Sequence, residues 1–282
     1  MTILARASRS LFKTTSPKLA RGSMAFSTGM KGRVGFEELT AGADAEQIQF
    51  MKEEIVKVDE KDAVLGPISK KDGTQPRTRR GRAMDSIGHS WLNLPFVCLA
   101  HIHDGILHRA FSVFVFNSKN ELLIQKRAEE KITFPGYWAN TCCSHPLFTE
   151  AELEDGVGVK RAAIRKLEHE LGIPSSTFAV DDLAYVSTVM YKAASDANWT
   201  EYEMDHIMFA RADVSLDNVN PNEVEQVEFV TRENLPALLE DSERKLSPWF
   251  HLIGARLLPQ WWDNLDAMLA KDSADRQIHD YR

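Results

Sequence analysis

The clearest hydrophobic pattern lies between Gly158 and Leu171. Val159, Ala162, Ala163, Leu167 and Leu171 recur at the 3.6-residue spacing of one helix face. Gly172 supplies a natural stop and Pro174 follows it. Glu168 and Glu170 are about 200° apart on such a helix, so one carboxylate is solvated while the other turns inward. Ala110–Asn117 (AFSVFVFN) is β-branched and aromatic on both faces, the pattern of a buried strand. A turn at Ser118-Lys119-Asn120 returns it as a second strand, Glu121–Arg127. Further strands are predicted over Leu183–Lys192, Glu201–Arg211 and Val224–Val230. Helices are predicted over Arg232–Leu239 and Pro248–Leu269, the latter kinked at Pro259.

Upstream, Glu37–Leu39 and Ala45–Lys57 show helical spacing through Ile48, Met51 and Ile55. Ile55, Val56 and Val58 also lead into a charged turn, Asp59–Asp62, between two short strands, the second at Ala63–Leu65. Residues 72–97 have no period and crowd Arg77, Arg79, Arg80 and Arg82 together, which reads as a long surface insertion. The elements lack a βαβ rhythm, so the fold class is α+β, a mixed sheet flanked by helices.

Composition narrows the picture. The chain has 282 residues, 43% hydrophobic and 27% charged, an ordinary globular profile for one large domain or two small ones. Cys98, Cys142 and Cys143 cannot build a disulfide framework and point to a reducing compartment. No apolar run reaches the roughly 18–20 residues of a membrane span. The net charge is −7, yet residues 1–33 hold Arg6, Arg9, Lys13, Lys18, Arg21, Lys31 and Arg33 and no acid. Without those seven positive charges the remainder stands at −14, a poor surface for nucleic acid. The basic segment has the composition of a mitochondrial or other organellar transit peptide, the alternatives being a basic tail or a cytoplasmic product started at Met24 or Met30.

Candidate chemistry concentrates in Phe134–Pro146, FPGYWANTCCSHP. Cys143 offers a nucleophile or acid and His145 a metal ligand; plain packing is the competing reading of a cysteine pair. Arg127 and Lys131 precede this stretch and are placed to face an anion there. Glu201 and Glu203, and Asp205 after them, share one strand face, which is repulsive unless a cation lies between them or the strand is a solvated edge. His108, His145, Glu201 and Glu203 form a mixed N/O set suited to Mn²⁺, Zn²⁺ or Fe²⁺ better than Ca²⁺. Glu170 at a helix end offers oxygen to a separate Mg²⁺, as a diphosphate would need. Trp261 and Trp262 are expected to be packing.

The ordered motifs HRAFSVFVF, ITFPG, NTCCSHP, VKRAAIRKLEHELGIP, YKAASD, WTEYEMDHI, SPWF and WWDNL resemble type I isopentenyl-diphosphate Δ-isomerase, of the Nudix superfamily. The likeness runs from Gly105 to Leu265, and more weakly from Phe36. It implies a Nudix-type α/β/α sandwich with added N- and C-terminal elements, one catalytic domain over residues 34–282 interrupted by an insertion at 73–97. It implies that Cys143, Glu203, Tyr191 and Trp249 are catalytic. It implies a divalent metal on His108, His145, Glu201 and Glu203, and a Mg²⁺ near Glu170 that bridges to the substrate. Diphosphate-binding cations match Arg127, Lys131, Lys166 and Lys71, with Lys70 as the alternative to Lys71. A further metal histidine of the family is best matched by His101, with His103 and His89 as fallbacks.

A hydrolytic Nudix helix carries two carboxylates where this chain has Lys166 and His169, which favours isomerisation over hydrolysis. The implied partner is a small allylic or homoallylic diphosphate, with no nucleic acid and no membrane span, on a monomer or weak dimer. The alternatives are a Nudix diphosphohydrolase and a diphosphate-binding protein impaired by the insertion.

Overall fold

A computed structural model describes residues 36–74, 105–273 and 277–282. The basic segment 1–33, most of the insertion, Cys98, His89, His101 and His103 lie outside the described residues.

In chain order the elements are α1 (Phe36–Leu39), α2 (Ala45–Phe50), β1 (Glu54–Val58), β2 (Val64–Ser69), α3 (Lys70–Thr74), β3 (His108–Phe116) and β4 (Leu122–Arg127). There follow β5 (Trp138–Asn140), β6 (Cys142–Ser144), α4 (Glu150–Leu153), α5 (Gly158–Leu171), β7 (Ala184–Ala194), β8 (Thr200–Arg211) and β9 (Val224–Val230). The chain closes with α6 (Leu235–Glu240), α7 (Pro248–Arg256), α8 (Leu258–Asp263), α9 (Leu265–Leu269) and β10 (Ile278–Tyr281).

The strands form one mixed sheet with the order β10-β7-β8-β3-β1-β2, to which β4, β5, β6 and β9 are attached beside β3. β3 and β8 run parallel, with His108 opposite Glu203 and Phe116 opposite Arg211. β7 is antiparallel to β8 and sets Tyr191 opposite Glu203.

The two-residue alternation of β3 divides the core. Phe114 and Phe116 pack with Ile207 and Phe209 against Leu235, Phe250, Ile253 and Trp262 of the C-terminal helices. Phe111, Val113 and Val115 pack on the other side against Ala162, Ala163, Leu167 and Leu171 of α5. Helices therefore cover both faces of the sheet, and α5 is held by its apolar stripe. Its C-cap, Gly172, sits at φ 65°. A Cβ there would come within 2.2 Å of the Asn218 carbonyl oxygen, so glycine is required by both backbone and space.

Several boundaries differ from expectation. The helix predicted to Lys57 stops at Phe50, because Ile55, Val56 and Val58 are buried as strand residues paired to β2. β2 itself runs to Ser69 rather than Leu65. The predicted helix over Pro248–Leu269 is three helices. The first break falls at Leu257 (φ −123°), so Pro259 lies in the first turn of α8, where its missing N–H costs nothing. A second break at Asn264 (φ −118°) owes nothing to proline. β5, β6 and β10 were not foreseen; each is four residues or fewer. No helix among the described residues is long and apolar enough to cross a membrane.

Candidate active site

β8 is an interior strand between β7 and β3, so its acidic face is not a solvated edge. Glu201 is 3% exposed, Glu203 8% and Asp205 1%. The parallel pairing brings His108, at the start of β3, beside Glu203. β6 pairs with β3 on its other side, Cys143 opposite Ser112, and delivers His145 just beyond the strand end. Donor atoms of His108, His145, Glu201 and Glu203 all lie within 4.8 Å of one another, and all four residues are buried.

The protonation pattern suits a cation. His108 Nδ1 is 2.7 Å from the Ile106 carbonyl oxygen, to which it donates. In the neutral ring this leaves the His108 Nε2 lone pair facing His145 Nε2 at 3.1 Å, while burial, which would lower the His108 pKa, is outweighed by Glu201 and Glu203, which raise it. His145 Nε2 is 3.0 Å from Glu203 Oε1, and His108 Nε2 is 3.6 Å from Glu201 Oε2. Glu201 Oε2 and His145 Nδ1 are buried without a hydrogen-bond partner. Convergent imidazole and carboxylate lone pairs with an unsatisfied oxygen fit a divalent metal. Burial works to raise the Glu201 pKa, but His108 and His145 outweigh it and bring it to about 2. Burial, reinforced by the Glu201 charge, pushes Glu203 up to about 7. The Tyr191 hydroxyl donates to Glu203 Oε2, and burial followed by the Glu203 charge raises the tyrosine pKa well above its usual value.

Cys143, Tyr191, Glu203 and Trp249 line one cavity together with Arg127, Lys131 and Lys166. Burial pushes the Cys143 thiol up to about 12 against the pull of Arg127, whose Nη1 lies 3.7 Å from the sulfur. Trp249, on α7, is fixed by its indole N–H, which donates to Asn140 Oδ1 at 3.0 Å. Its ring lies 6.1 Å from that of Tyr191 and 5.7 Å from the Arg127 guanidinium.

The cationic end of the cavity corrects one expectation. Lys70 lines it, whereas Lys71 turns away, its ammonium 5.0 Å from the Phe36 ring. The two are successive residues of α3, which point about 100° apart, so only one reaches the cavity. Burial, with Lys131 and Lys166 nearby, lowers the Lys70 pKa. Glu170 is placed beneath this end rather than on its wall. It lies 3.2 Å from Lys166 and 3.8 Å from Lys131, and Gln125 donates to it at 3.0 Å. Glu168 is exposed on the opposite side of α5, as the helix angle requires.

A residue that sequence reasoning missed completes the group. Glu223 is 1% exposed, accepts a hydrogen bond from Lys131, and lies 3.9 Å from Lys166. Burial opposes ionisation of Glu223, yet Lys131 and Lys166 hold its pKa far below the carboxylate range. It precedes β9 after an Asn-Pro-Asn turn, where no periodic signal marks it. Trp262 packs in the core and donates to the Asn120 carbonyl, and Trp261 lies against Phe209, both as expected of packing residues.

A larger cavity, about 450 Å³, opens on the opposite face of the sheet, against about 40 Å³ at the site above. Several of its charges are paired: Asp62 accepts from Arg109 at 2.8 Å and meets His206 at 2.9 Å, and Lys160 meets Asp272 at 2.8 Å.

A mixed sheet covered by helices on both faces, with a buried His/Glu cluster at the start of its central parallel pair, defines the class: residues 106–250 match the NUDIX domain. Over 243 residues the chain is 45% identical to isopentenyl-diphosphate delta-isomerase IDI1 of Gibberella zeae, covering 84% of this chain and 87% of that one. It is 42% identical to isopentenyl-diphosphate Delta-isomerase I of Clarkia breweri, over 96% of this chain and 87% of the relative. Identity to isopentenyl-diphosphate Delta-isomerase 1 of Bos taurus is 41%, over 82% and 94% respectively. The chain belongs to the isopentenyl-diphosphate Δ-isomerase family.

Proposed function

We infer that this chain interconverts isopentenyl and dimethylallyl diphosphate in isoprenoid biosynthesis, moving a double bond by one carbon through protonation and deprotonation. The observation that carries the reading is the meeting, in one small cavity, of a cysteine beside the Arg127 guanidinium, a carboxyl of raised pKa and an indole ring. An isolated alkene is a very weak base. Its protonation needs a positioned acid, exclusion of water, and a base for the proton that leaves.

Glu203 delivers the proton to the terminal alkene carbon, which leaves a tertiary carbocation. Cys143 takes the proton from the neighbouring methylene carbon as the thiolate, the form favoured by the Arg127 guanidinium 3.7 Å from its sulfur, and becomes the thiol; the two residues exchange roles in the reverse direction. Tyr191 holds Glu203 through its hydroxyl. The Trp249 ring stabilises the cation, an interaction worth about 2 kcal/mol when desolvated. Arg127, Lys131, Lys166 and Lys70 hold the diphosphate, which stays intact.

His108, His145, Glu201 and Glu203 would hold a divalent metal, which would supply Lewis acidity beside Glu203, and Glu170, beneath the lysine end, is the residue that would hold a Mg²⁺ accompanying the diphosphate. Residues 1–33 carry an organellar address in this reading. Lys166 supports isomerisation over hydrolysis, since it lines the cavity as a cation where a hydrolase needs a carboxylate.

Turnover of isopentenyl diphosphate with Mg²⁺ or Mn²⁺, followed by NMR in D₂O, tests the reading. Deuterated dimethylallyl diphosphate, lost in Cys143→Ala and Glu203→Gln, is the expected result. Release of phosphate or diphosphate would mean hydrolysis. Binding without turnover would mean a chain disabled by its insertion.

A further inference from the structure

Four cations line the active-site cavity: Lys70, Arg127, Lys131 and Lys166. Four carboxylates line it as well: Glu53, Glu201, Glu203 and Glu223. Counted formally, with histidine neutral and no metal bound, these charges cancel. Glu201 and Glu203 converge on the histidines. Glu223 is different. It faces the lysines.

Glu223 accepts from the Lys131 ammonium and from Gln47 Nε2 at 3.3 Å, and lies 3.9 Å from both Lys166 Nζ and His169 Nδ1. Lys166 and Lys131 also face Glu170, at 3.2 and 3.8 Å. Two ammonium groups thus stand between two carboxylates, already neutralised. Of these carboxylates only Glu223 is on the cavity wall, where an incoming anion would arrive.

We propose that Glu223 is a specificity-determining residue, an internal counter-anion that withholds Lys131 and Lys166 from a bare diphosphate and makes anion binding depend on an accompanying divalent cation. A bare diphosphate must take Lys131 from an existing charge-assisted hydrogen bond and then lie beside an unpaired carboxylate. A diphosphate carrying Mg²⁺ brings the positive charge that offsets Glu223. The inference rests on the reading of this cavity as a diphosphate site.

Inorganic pyrophosphate, titrated calorimetrically into the full chain with and without Mg²⁺, separates the two. Wild-type protein binds it far more tightly with Mg²⁺. In Glu223→Gln, bare pyrophosphate binds about tenfold more tightly than in wild type, the scale of one charge-assisted hydrogen bond, and the Mg²⁺ enhancement shrinks by the same factor. Unchanged or weaker bare binding in Glu223→Gln overturns the inference and leaves the diphosphate reading standing. Weaker binding only with Mg²⁺ present also overturns it, and makes Glu223 a metal ligand instead. Wild-type protein that binds pyrophosphate in neither condition sinks the diphosphate reading and the inference with it. Should Glu223→Gln fail to fold, Lys131→Gln decides: a loss at least about threefold greater with Mg²⁺ than without supports the inference, and equal losses overturn it.

Discussion

At one end of the active-site cavity Glu201 and Glu203 share a strand face and meet the imidazoles of His108 and His145, whereas at the other Glu170 and Glu223 enclose the ammonium groups of Lys131 and Lys166. Both ends pair two buried carboxylates, and the outcomes are opposite. At the histidine end the pKa values are driven apart, Glu201 to about 2 and Glu203 to about 7, and Glu201 Oε2 has no partner. At the lysine end burial pushes both carboxyls toward protonation, but the ammonium groups prevail and both pKa values fall. The first end is chemically incomplete, with donors that could hold a metal ion and carboxyls suited to passing a proton. The second is complete without a ligand, so it shapes affinity rather than proton transfer.

Four measurements would break or sharpen that contrast. Cys143→Ala and Glu203→Gln remove the proton-transfer groups, and each should lower kcat by about 10³-fold or more. KM should move little if the lysine end alone sets substrate affinity, so a comparable rise in KM would erase the distinction. Glu201→Gln removes one of four candidate ligands, and competitive titration should find affinity for Zn²⁺ or Mn²⁺ weakened by about 100-fold. Retained affinity would show that the cluster does not hold metal.

Trp249→Leu should lower kcat about 30-fold through loss of the ring face, with a smaller loss of stability from the unpaired Asn140. The smallest effect is expected on the far face of the sheet. Burial raises the Asp62 pKa, but His206 and Arg109 outweigh it and hold it below the usual value. A carboxylate depressed in this way stabilises the fold above its unfolded pKa of about 3.9 and loses that contribution as pH falls through the folded value. Asp62→Asn should therefore cost about 1 kcal/mol at pH 7, cost progressively less below pH ~4, and leave turnover unchanged. Thermal melts across pH check the sign.

What was legible in the sequence follows from how local each signal is. α5 was readable from Gly158 to Leu171 because its stripe, its glycine stop and the following proline all lie within the element. β9 was likewise bounded as expected, Val224–Val230. The two-residue period placed Glu201 and Glu203 on one face, but only the tertiary position of β8 could make that face interior. Lys70 and Lys71 are neighbours in a five-residue helix, and no pattern there shows which one turns inward. Glu223 was invisible because it meets Lys131 across 92 residues of chain and sits in a turn that carries no periodic signal. Short strands such as β5 and β6 are stabilised by their partners in the sheet rather than by their own sequence.

The parallel pairing of β3 with β8 has a consequence for the growing polypeptide. Ser112 and Asp205, bonded across that pair at 2.8 Å, are 93 residues apart. No hairpin can bring them together, so a long loop must close before the central strands meet. A nascent chain made only as far as His145 carries His108, Cys143 and His145 but lacks Glu201 and Glu203. The four candidate ligands meet only once β8 pairs with β3, so a metal held by that cluster would report that the central sheet is complete.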